Sequence, residues 1–178
     1  TRVYPFIRFN QQKKVHNKVI EIENISKNYY EISVINKFST IINSGDRIAI
    51  IGENGIGKTT FLKCLVEDEF INEGKVKWSE NALVGYFPQN PSNEFKSNIS
   101  LLDWMNQWSH EEDDLETVRG TLGRLLFSQN DIGKPISVLS GGEQRRMLFG
   151  KIILQRANVI ILDEPTNHLD MESIESLN

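Results

Sequence analysis

Short apolar runs alternate with longer segments of helical periodicity along this chain of 178 residues. Residues 19–25 alternate between apolar and acidic side chains, which predicts a half-buried strand. Residues 32–42 predict one or two further strands, followed by a turn at residues 43–46. Residues 47–51 form a short apolar run, which predicts a strand that is covered on both faces.

The rest of the chain continues this alternation. A helix is predicted to begin at Lys58, with Phe61, Leu62 and Leu65 on its inner side. Residues 99–128 have a helical pattern, in which Trp104 and Trp108 share one face. The other predicted elements are strands at residues 74–78, 82–87 and 159–162 and a helix at residues 141–156. Strands that alternate with helices predict an α/β fold with a largely parallel sheet.

Composition narrows the class of protein. The single cysteine, Cys64, excludes an internal disulfide framework and is typical of a reducing compartment. The three histidines are too scattered to form a structural zinc site with it. No stretch approaches the roughly 20 apolar residues that a membrane-spanning helix needs. We therefore expect a cytoplasmic domain.

The charge is unevenly distributed. The net charge is −4, yet residues 1–20 contain five basic residues and no acidic one. The remainder carries 15 basic and 24 acidic residues, which is a net charge of −9. A basic arm of this kind can contact the phosphates of RNA. It can equally be the solvated end of a linker, and both interpretations stay open.

A glycine-rich segment after the apolar run at residues 47–51 matches the phosphate-binding pattern G-x-x-x-x-G-K-[ST]. Its glycines let consecutive backbone N–H groups point at a phosphate, and the following helix adds a favourable field. Lys58 supplies a positive charge to the β- and γ-phosphates, and the hydroxyl of Thr59 can ligate Mg²⁺. The predicted nucleotide-binding residues are Gly52, Glu53, Asn54, Gly55, Ile56, Gly57, Lys58, Thr59 and Thr60.

Two carboxylates, Asp163 and Glu164, follow directly on the apolar run at residues 159–162. This places them at the carboxyl end of a buried strand, where the ligands of open α/β sheets bind. In combination with the phosphate-binding loop, the pair predicts that Asp163 holds Mg²⁺. Glu164 is then free to act as the general base that orients the attacking water.

The segment from Leu139 to Gln144 reads Leu-Ser-Gly-Gly-Glu-Gln. A Ser-Gly-Gly turn that begins a helix is a second potential anion site, although on physical grounds alone it could be only a helix cap. The hexapeptide resembles the signature motif of ATP-binding cassette (ABC) ATPases. That resemblance implies contact with the ATP held by a facing cassette through Ser140, Gly141, Gly142, Glu143 and Gln144.

Other positions follow the order of motifs in this family. Gln89 resembles the Q-loop glutamine that senses Mg²⁺ and the attacking water, which makes it a catalytic and metal-site candidate beside Thr59 and Asp163. Tyr29 resembles the aromatic residue that stacks on adenine, with Tyr30 as the alternative register. The resemblance thus implies ATP and Mg²⁺ as cofactors. The segment that resembles the D-loop, which communicates across a cassette dimer, comprises Asn167, His168, Leu169 and Asp170.

Further details resemble the ABC-F subfamily, whose members carry two cassettes in one chain and in many cases act on the ribosome. These details are Glu143 in the signature and the residues 163–170. Residues 4–9 and 123–129 resemble the second cassette of the bacterial YbiT type.

The resemblance implies a P-loop NTPase fold of the ABC type, with a mainly parallel core sheet, an antiparallel β subdomain and a helical subdomain at about residues 95–138. Residues 1–18 would be the end of the basic inter-cassette linker and residues 19–178 the ATP-binding domain.

One part of the family pattern is missing. The family has a switch histidine after the D-loop, and none of the three histidines of this chain lies in that position. We therefore expect a fragment of a longer protein, with exposed apolar sheet edge and poor solubility in isolation. The expected function is ATP hydrolysis by an ABC-F protein that regulates translation on the ribosome. The alternatives are the ATPase subunit of a membrane transporter and a cassette that binds ATP as a clamp with little turnover.

Overall fold

A computed structural model describes Pro5 and residues 7–165 of the chain. The predicted D-loop, Asn167–Asp170, therefore lies outside the described residues. The chain divides into two compact units. We call Lys13–Val84 the P-loop unit, and we call the described residues before Lys13 and from Gly85 onward the signature unit.

The P-loop unit contains a three-stranded antiparallel sheet with the order β2-β1-β3. The strands are β1 (Lys18–Tyr29), β2 (Ile32–Asn43) and β3 (Glu73–Trp78), and helix α1 spans Lys58–Leu65. The central strand β1 buries Val19, Ile20, Ile22 and Ile25. Residues 32–42 thus lie in a single strand, β2, and α1 begins at Lys58 as predicted.

The prediction of a covered strand at residues 47–51 is wrong. The segment forms no strand and pairs with no other strand among residues 7–165. Ile48 is 60% exposed, Ile50 41% and Ile51 91%. A run of apolar side chains becomes a strand only where neighbouring strands satisfy its backbone N–H and C=O groups, and the described residues place none beside it.

The signature unit combines helices with a two-stranded sheet of the order β4-β5. Its elements in chain order are β4 (Val84–Phe87), α2 (Leu101–Asn106), α3 (Leu115–Arg124), α4 (Gly141–Leu154) and β5 (Val159–Leu162). The helices begin where the sequence provides a cap. The side chain of Ser100 accepts a hydrogen bond from the Asp103 N–H, and that of Asp114 accepts one from the Thr117 N–H.

The core of the signature unit brings the helices together around aromatic side chains. The rings of Phe87 on β4 and Phe149 on α4 lie 4.6 Å apart. The rings of Trp104 and Trp108 meet edge to face with centroids 5.7 Å apart, although α2 ends between them at Asn106. Aromatic contacts of this kind stabilise a core beyond the area that they bury.

Two apolar residues near the beginning of the described chain, Ile7 and Val15, are buried. Ile7 is buried in the core of the signature unit, and the Gln12 N–H donates a hydrogen bond to the Arg156 carbonyl. Val15 is buried in the P-loop unit. The boundary at residue 18 and the role of residues 1–18 as a linker end stay predictions, as does the helical subdomain at about 95–138.

Candidate functional site

The loop before α1 has the backbone of a phosphate-binding loop. Gly55 and Gly57 adopt positive φ angles of 82° and 108°, and α1 begins at the next residue, Lys58. The ammonium of Lys58 reaches back over the loop and donates hydrogen bonds of 2.8 Å to the carbonyls of Gly52 and Glu53. The loop thus presents a helix N-terminus and a lysine charge at the same place, which favours an anion.

Gly57 also fixes the loop against the β1–β2 hairpin. A Cβ atom on Gly57 would overlap the Cγ1 atom of Val34 on β2, so only glycine fits. Val34 lies two residues from Ile32, which pairs with Tyr29 at the end of β1. Two residues of strand span about 7 Å, so Val34, which lies against Gly57, is near the Tyr29 end of the hairpin.

Tyr29 and Tyr30 have different environments. The Tyr29 hydroxyl donates a 2.9 Å hydrogen bond to Glu69, and 39% of the residue is exposed. Tyr30 has a positive φ angle of 53° in the turn after β1 and is fully exposed. Of the two registers that the sequence left open, Tyr29 is the one whose side chain is held by a hydrogen bond and by a neighbouring ammonium.

The signature unit brings Glu164 and Gln89 together. Asp163, 2% exposed, follows β5, and its N–H donates a 2.9 Å hydrogen bond to the Phe87 carbonyl at the end of β4. The Gln89 side-chain amide donates a 2.7 Å hydrogen bond to a carboxylate oxygen of Glu164. Glu164 has a φ angle of 48°, which is unfavourable for a residue with a side chain and is typical of functional sites.

Arg145 links helix α4 to Gln89. One guanidinium nitrogen, Nη2, donates a 3.0 Å hydrogen bond to the Gln89 carbonyl, and the guanidinium lies 5.7 Å from the ring centre of Phe87. The residue is 5% exposed, and burial lowers the pKa of its guanidinium from the ordinary value. The helix with the signature motif therefore fixes the backbone of the predicted catalytic glutamine.

The signature motif forms the N-terminus of α4. Ser140 is the N-cap and forms a capping box with Glu143, whose carboxylate accepts hydrogen bonds from the Ser140 N–H at 2.8 Å and from its hydroxyl at 2.7 Å. These bonds, that of the hydroxyl first, lower the pKa of Glu143 from its ordinary 4.5. A Cβ atom on Gly141 or Gly142 would meet nothing within 4 Å, so these two glycines leave the helix end open to an approaching group.

Sequence reasoning missed three polar residues that hold the predicted ones. Arg145 carried a signal, because it lies three and four residues before Leu148 and Phe149 and so belongs to the buried face of α4. Lys27 and Glu69, which contact each other and surround Tyr29, are 42 residues apart, and no local pattern connects them.

Within the part of the chain that the structure describes, no group of three or more His, Cys, Asp or Glu side chains could hold a metal ion. No helix in the described residues is long and apolar enough to cross a membrane.

Comparison with known proteins identifies the family. Residues 35–167 match the family described as ABC transporter. The "Probable ATP-binding protein YbiT" of Escherichia coli O157:H7 is 51% identical over all 178 residues of the chain, which correspond to 34% of that protein. The "ABC transporter F family member 5" of Arabidopsis thaliana is 34% identical over 96% of the chain and 25% of its own length. The chain thus spans about a third or less of these relatives.

Solved structures show the same fold. A structure described as the dimeric post-hydrolysis state of the ATP-binding cassette MJ0796 bound to ADP and Pi superposes with a TM-score of 0.74. It is 19% identical and covers 89% of this chain and 79% of that one. This likeness confirms the predicted α/β fold of a P-loop NTPase cassette. The chain belongs to the ABC transporter family and is an ATP-binding cassette of the ABC-F type.

Proposed function

We propose that the chain binds ATP with Mg²⁺ and contributes to its hydrolysis. The phosphates bind to the backbone N–H groups of residues 52–60 and to the ammonium of Lys58. In the structure that ammonium donates to two carbonyls of its own loop, Gly52 and Glu53. A polyphosphate is a stronger acceptor than a neutral carbonyl, so the ammonium turns from the loop to the nucleotide.

The hydrogen bond of 2.7 Å between Gln89 and Glu164 is the observation that carries the catalytic assignment. It orients a carboxylate directly after Asp163, in a strained backbone that the signature unit maintains. The oxygen of the attacking water forms a bond to the γ-phosphorus while the bond between that phosphorus and the leaving oxygen of ADP breaks, and Glu164 accepts the proton of the water.

The proposed metal ligands are oxygens of Thr59, Asp163 and Gln89. Hydroxyl, carboxylate and amide oxygens are the ligand types that Mg²⁺ prefers together with phosphate and water. The amide nitrogen of Gln89 donates to Glu164, and its amide oxygen is the atom that would ligate the metal. Bound Mg²⁺ supplies positive charge that neutralises the phosphates.

We propose further that the signature motif binds the γ-phosphate of an ATP held by a second cassette. The 14-residue helix α4 begins at this motif, and the open space where Cβ atoms of Gly141 and Gly142 would lie gives a phosphate room to approach. The Ser140 hydroxyl, which donates to Glu143 in this structure, would turn to the phosphate. The dimeric state named for MJ0796 supports such a pairing.

The proposed biological role is that of a cytoplasmic ABC-F protein that regulates translation on the ribosome. ATP binding would close the two cassettes, and hydrolysis would reset them. The relatives of the F type and the basic residues at 1–20 support this role. A basic segment gains affinity for RNA because its binding releases counterions from the phosphates of the RNA.

Co-sedimentation with purified ribosomes tests this role. In the complete gene product, Glu164→Gln should retain ATP and stop before hydrolysis, so we expect it to sediment with ribosomes only when ATP is added. The matched control is the double variant Lys58→Ala, Glu164→Gln, which should not sediment because it lacks the phosphate-binding charge. Binding of ATP without any sedimentation would contradict the ribosomal role and favour transport. Equal ATP turnover in the wild type and Glu164→Gln would contradict the catalytic assignment. Binding of ATP with negligible turnover by the wild type would favour an ATP-binding clamp.

A further inference from the structure

A buried lysine lies beside the tyrosine that we assign to the nucleotide base. Lys27 is on the central strand β1 and is 1% exposed. Its ammonium forms a 2.7 Å ion pair with Glu69 and lies 3.8 Å from the ring centre of Phe70 and 4.6 Å from that of Tyr29. Because an unpaired ammonium is costly to bury, this set of partners must form as a unit. We call Lys27, Tyr29, Glu69 and Phe70 the Tyr29 cluster.

Glu69 connects the Tyr29 cluster to the helix of the phosphate-binding loop. One carboxylate oxygen accepts from Lys27, and the other accepts the 2.9 Å hydrogen bond from the Tyr29 hydroxyl. The Glu69 N–H donates to the carbonyl of Lys63 in the last turn of α1. The last turn of the helix that begins at the phosphate-binding loop is therefore hydrogen-bonded to the residue that holds the tyrosine.

The Tyr29 ring is fixed from two directions. Lys27 and Tyr29 are two residues apart on one strand and so point to the same face of the sheet. The ammonium occupies one face of the ring, and Glu69 holds its hydroxyl. The hydrogen bonds from Lys27 and then Tyr29 hold the pKa of the Glu69 carboxyl below its ordinary 4.5, so the carboxylate is ionised at neutral pH. A flat apolar group can therefore stack only on the opposite face of the ring.

We propose that Glu69 and Lys27 are positioning residues that orient the Tyr29 ring as the platform for the nucleotide base. This inference rests on the proposed binding of ATP and on the family resemblance that makes Tyr29 the residue that stacks on its base. An aromatic ring that is held in place before binding loses less conformational freedom on stacking than a mobile one. The residues act through Tyr29 and not on the phosphates.

The test compares ATP with inorganic tripolyphosphate, which offers phosphates without a base. Dissociation constants of both are measured by calorimetry, with Mg²⁺, for the complete gene product and its variants. We expect Glu69→Gln to weaken ATP binding by about tenfold, within the range for loss of one stacked base, and to leave tripolyphosphate binding unchanged. Equal weakening of both ligands, or of neither, would overturn the proposal, because a merely structural role does not distinguish them.

Tyr29→Phe is the second variant, since Glu69→Gln also leaves Lys27 facing a neutral amide. It removes only the hydroxyl that Glu69 holds and keeps the ring. We expect weaker ATP binding in the same direction, and the double variant should bind ATP no more weakly than Glu69→Gln alone, because the two changes break one contact. Additive losses would overturn the proposal.

Tyr29→Ala separates this inference from the proposed function. If it weakens ATP binding without affecting tripolyphosphate while Glu69→Gln has no effect, Tyr29 stacks on the base and the positioning role is wrong. If Tyr29→Ala leaves the preference for ATP over tripolyphosphate unchanged, the assignment of Tyr29 to the base is itself wrong, and the positioning role is wrong with it.

Discussion

The signature unit and the P-loop unit differ in how far their apolar side chains are buried. The signature unit buries a continuous cluster that includes Phe87, Leu101, Leu122 and Phe149, all with no measurable exposure. The P-loop unit buries the inner side of its antiparallel sheet and leaves residues 47–51, directly before its functional loop, uncovered in the described residues. The predicted signature motif of one unit thus rests on a closed core, and the predicted phosphate-binding loop of the other follows an uncovered segment.

The same contrast exists in the polar contacts. In the signature unit, Arg145, Gln89 and Glu164 are already joined by hydrogen bonds. In the P-loop unit, Lys58 donates to the carbonyls of its own loop and must exchange them for a ligand. The ordering of a preorganised group takes place during folding, whereas a group that changes partners loses its conformational freedom on binding. We therefore expect substitutions in the signature unit to affect folding and turnover, and those at the phosphate loop to affect affinity.

The largest expected effect is that of Phe149→Ala in the 178-residue chain. Phe149 is fully buried against Phe87, so its truncation leaves a cavity and should lower the free energy of unfolding by about 3–5 kcal/mol. Urea denaturation followed by tryptophan fluorescence measures the change. A loss below about 1 kcal/mol would contradict a closed core in the signature unit, because truncations of this size are felt in well-packed cores.

Arg145→Met tests the contact between α4 and Gln89. Methionine keeps much of the buried apolar stem but removes the hydrogen bond to the Gln89 carbonyl. In the complete gene product we expect kcat for ATP to fall by about tenfold, or about 1.4 kcal/mol, while KM changes little. Arg145→Lys keeps the charge without the planar guanidinium and serves as the control. Its kcat should lie between those of the wild type and Arg145→Met. An unchanged kcat for Arg145→Met would show that Gln89 needs no support from α4.

Glu143→Ala should cost about 1 kcal/mol of stability, because it removes half of the capping box at the start of α4. The pKa of Glu143 is lower in the folded protein than its ordinary 4.5, so its contribution is fully present above that pH. It is lost as the pH falls through the lower, folded value. Urea denaturation across this range should therefore show the wild type and Glu143→Ala converging at acid pH. If the difference in stability between the two proteins stays constant as the pH falls, the effect of the substitution does not come from the carboxylate.

The smallest expected effect is that of Ile51→Ser in the 178-residue chain. Ile51 is 91% exposed, so we expect a change below about 0.5 kcal/mol in the free energy of unfolding. The same denaturation experiment as for Phe149→Ala makes the comparison direct. A loss of more than about 1 kcal/mol would show that residues 47–51 are covered, and the contrast between the units would disappear.

The sequence predicts those features that depend on local chemistry. The start of α1 at Lys58 and of α4 at Gly141 follow from glycines and a capping serine beside them. The prediction of a strand at residues 47–51 was wrong, because an apolar run favours burial but does not specify the neighbouring strands that would cover it. The contacts of Glu69 with Lys27 and Tyr29 were missed for a related reason, since they join residues about 40 positions apart through the fold.

The measurement that tests the account most directly is a single-turnover assay of phosphate release from ATP by the complete gene product. Wild type is compared with Glu164→Gln, whose ATP affinity is measured in parallel. The loss of a general base should slow phosphate release by about 10²–10⁴-fold while ATP binding is retained. Phosphate release at the wild-type rate by Glu164→Gln would contradict the assignment of Glu164, and with it the role given to the contact with Gln89.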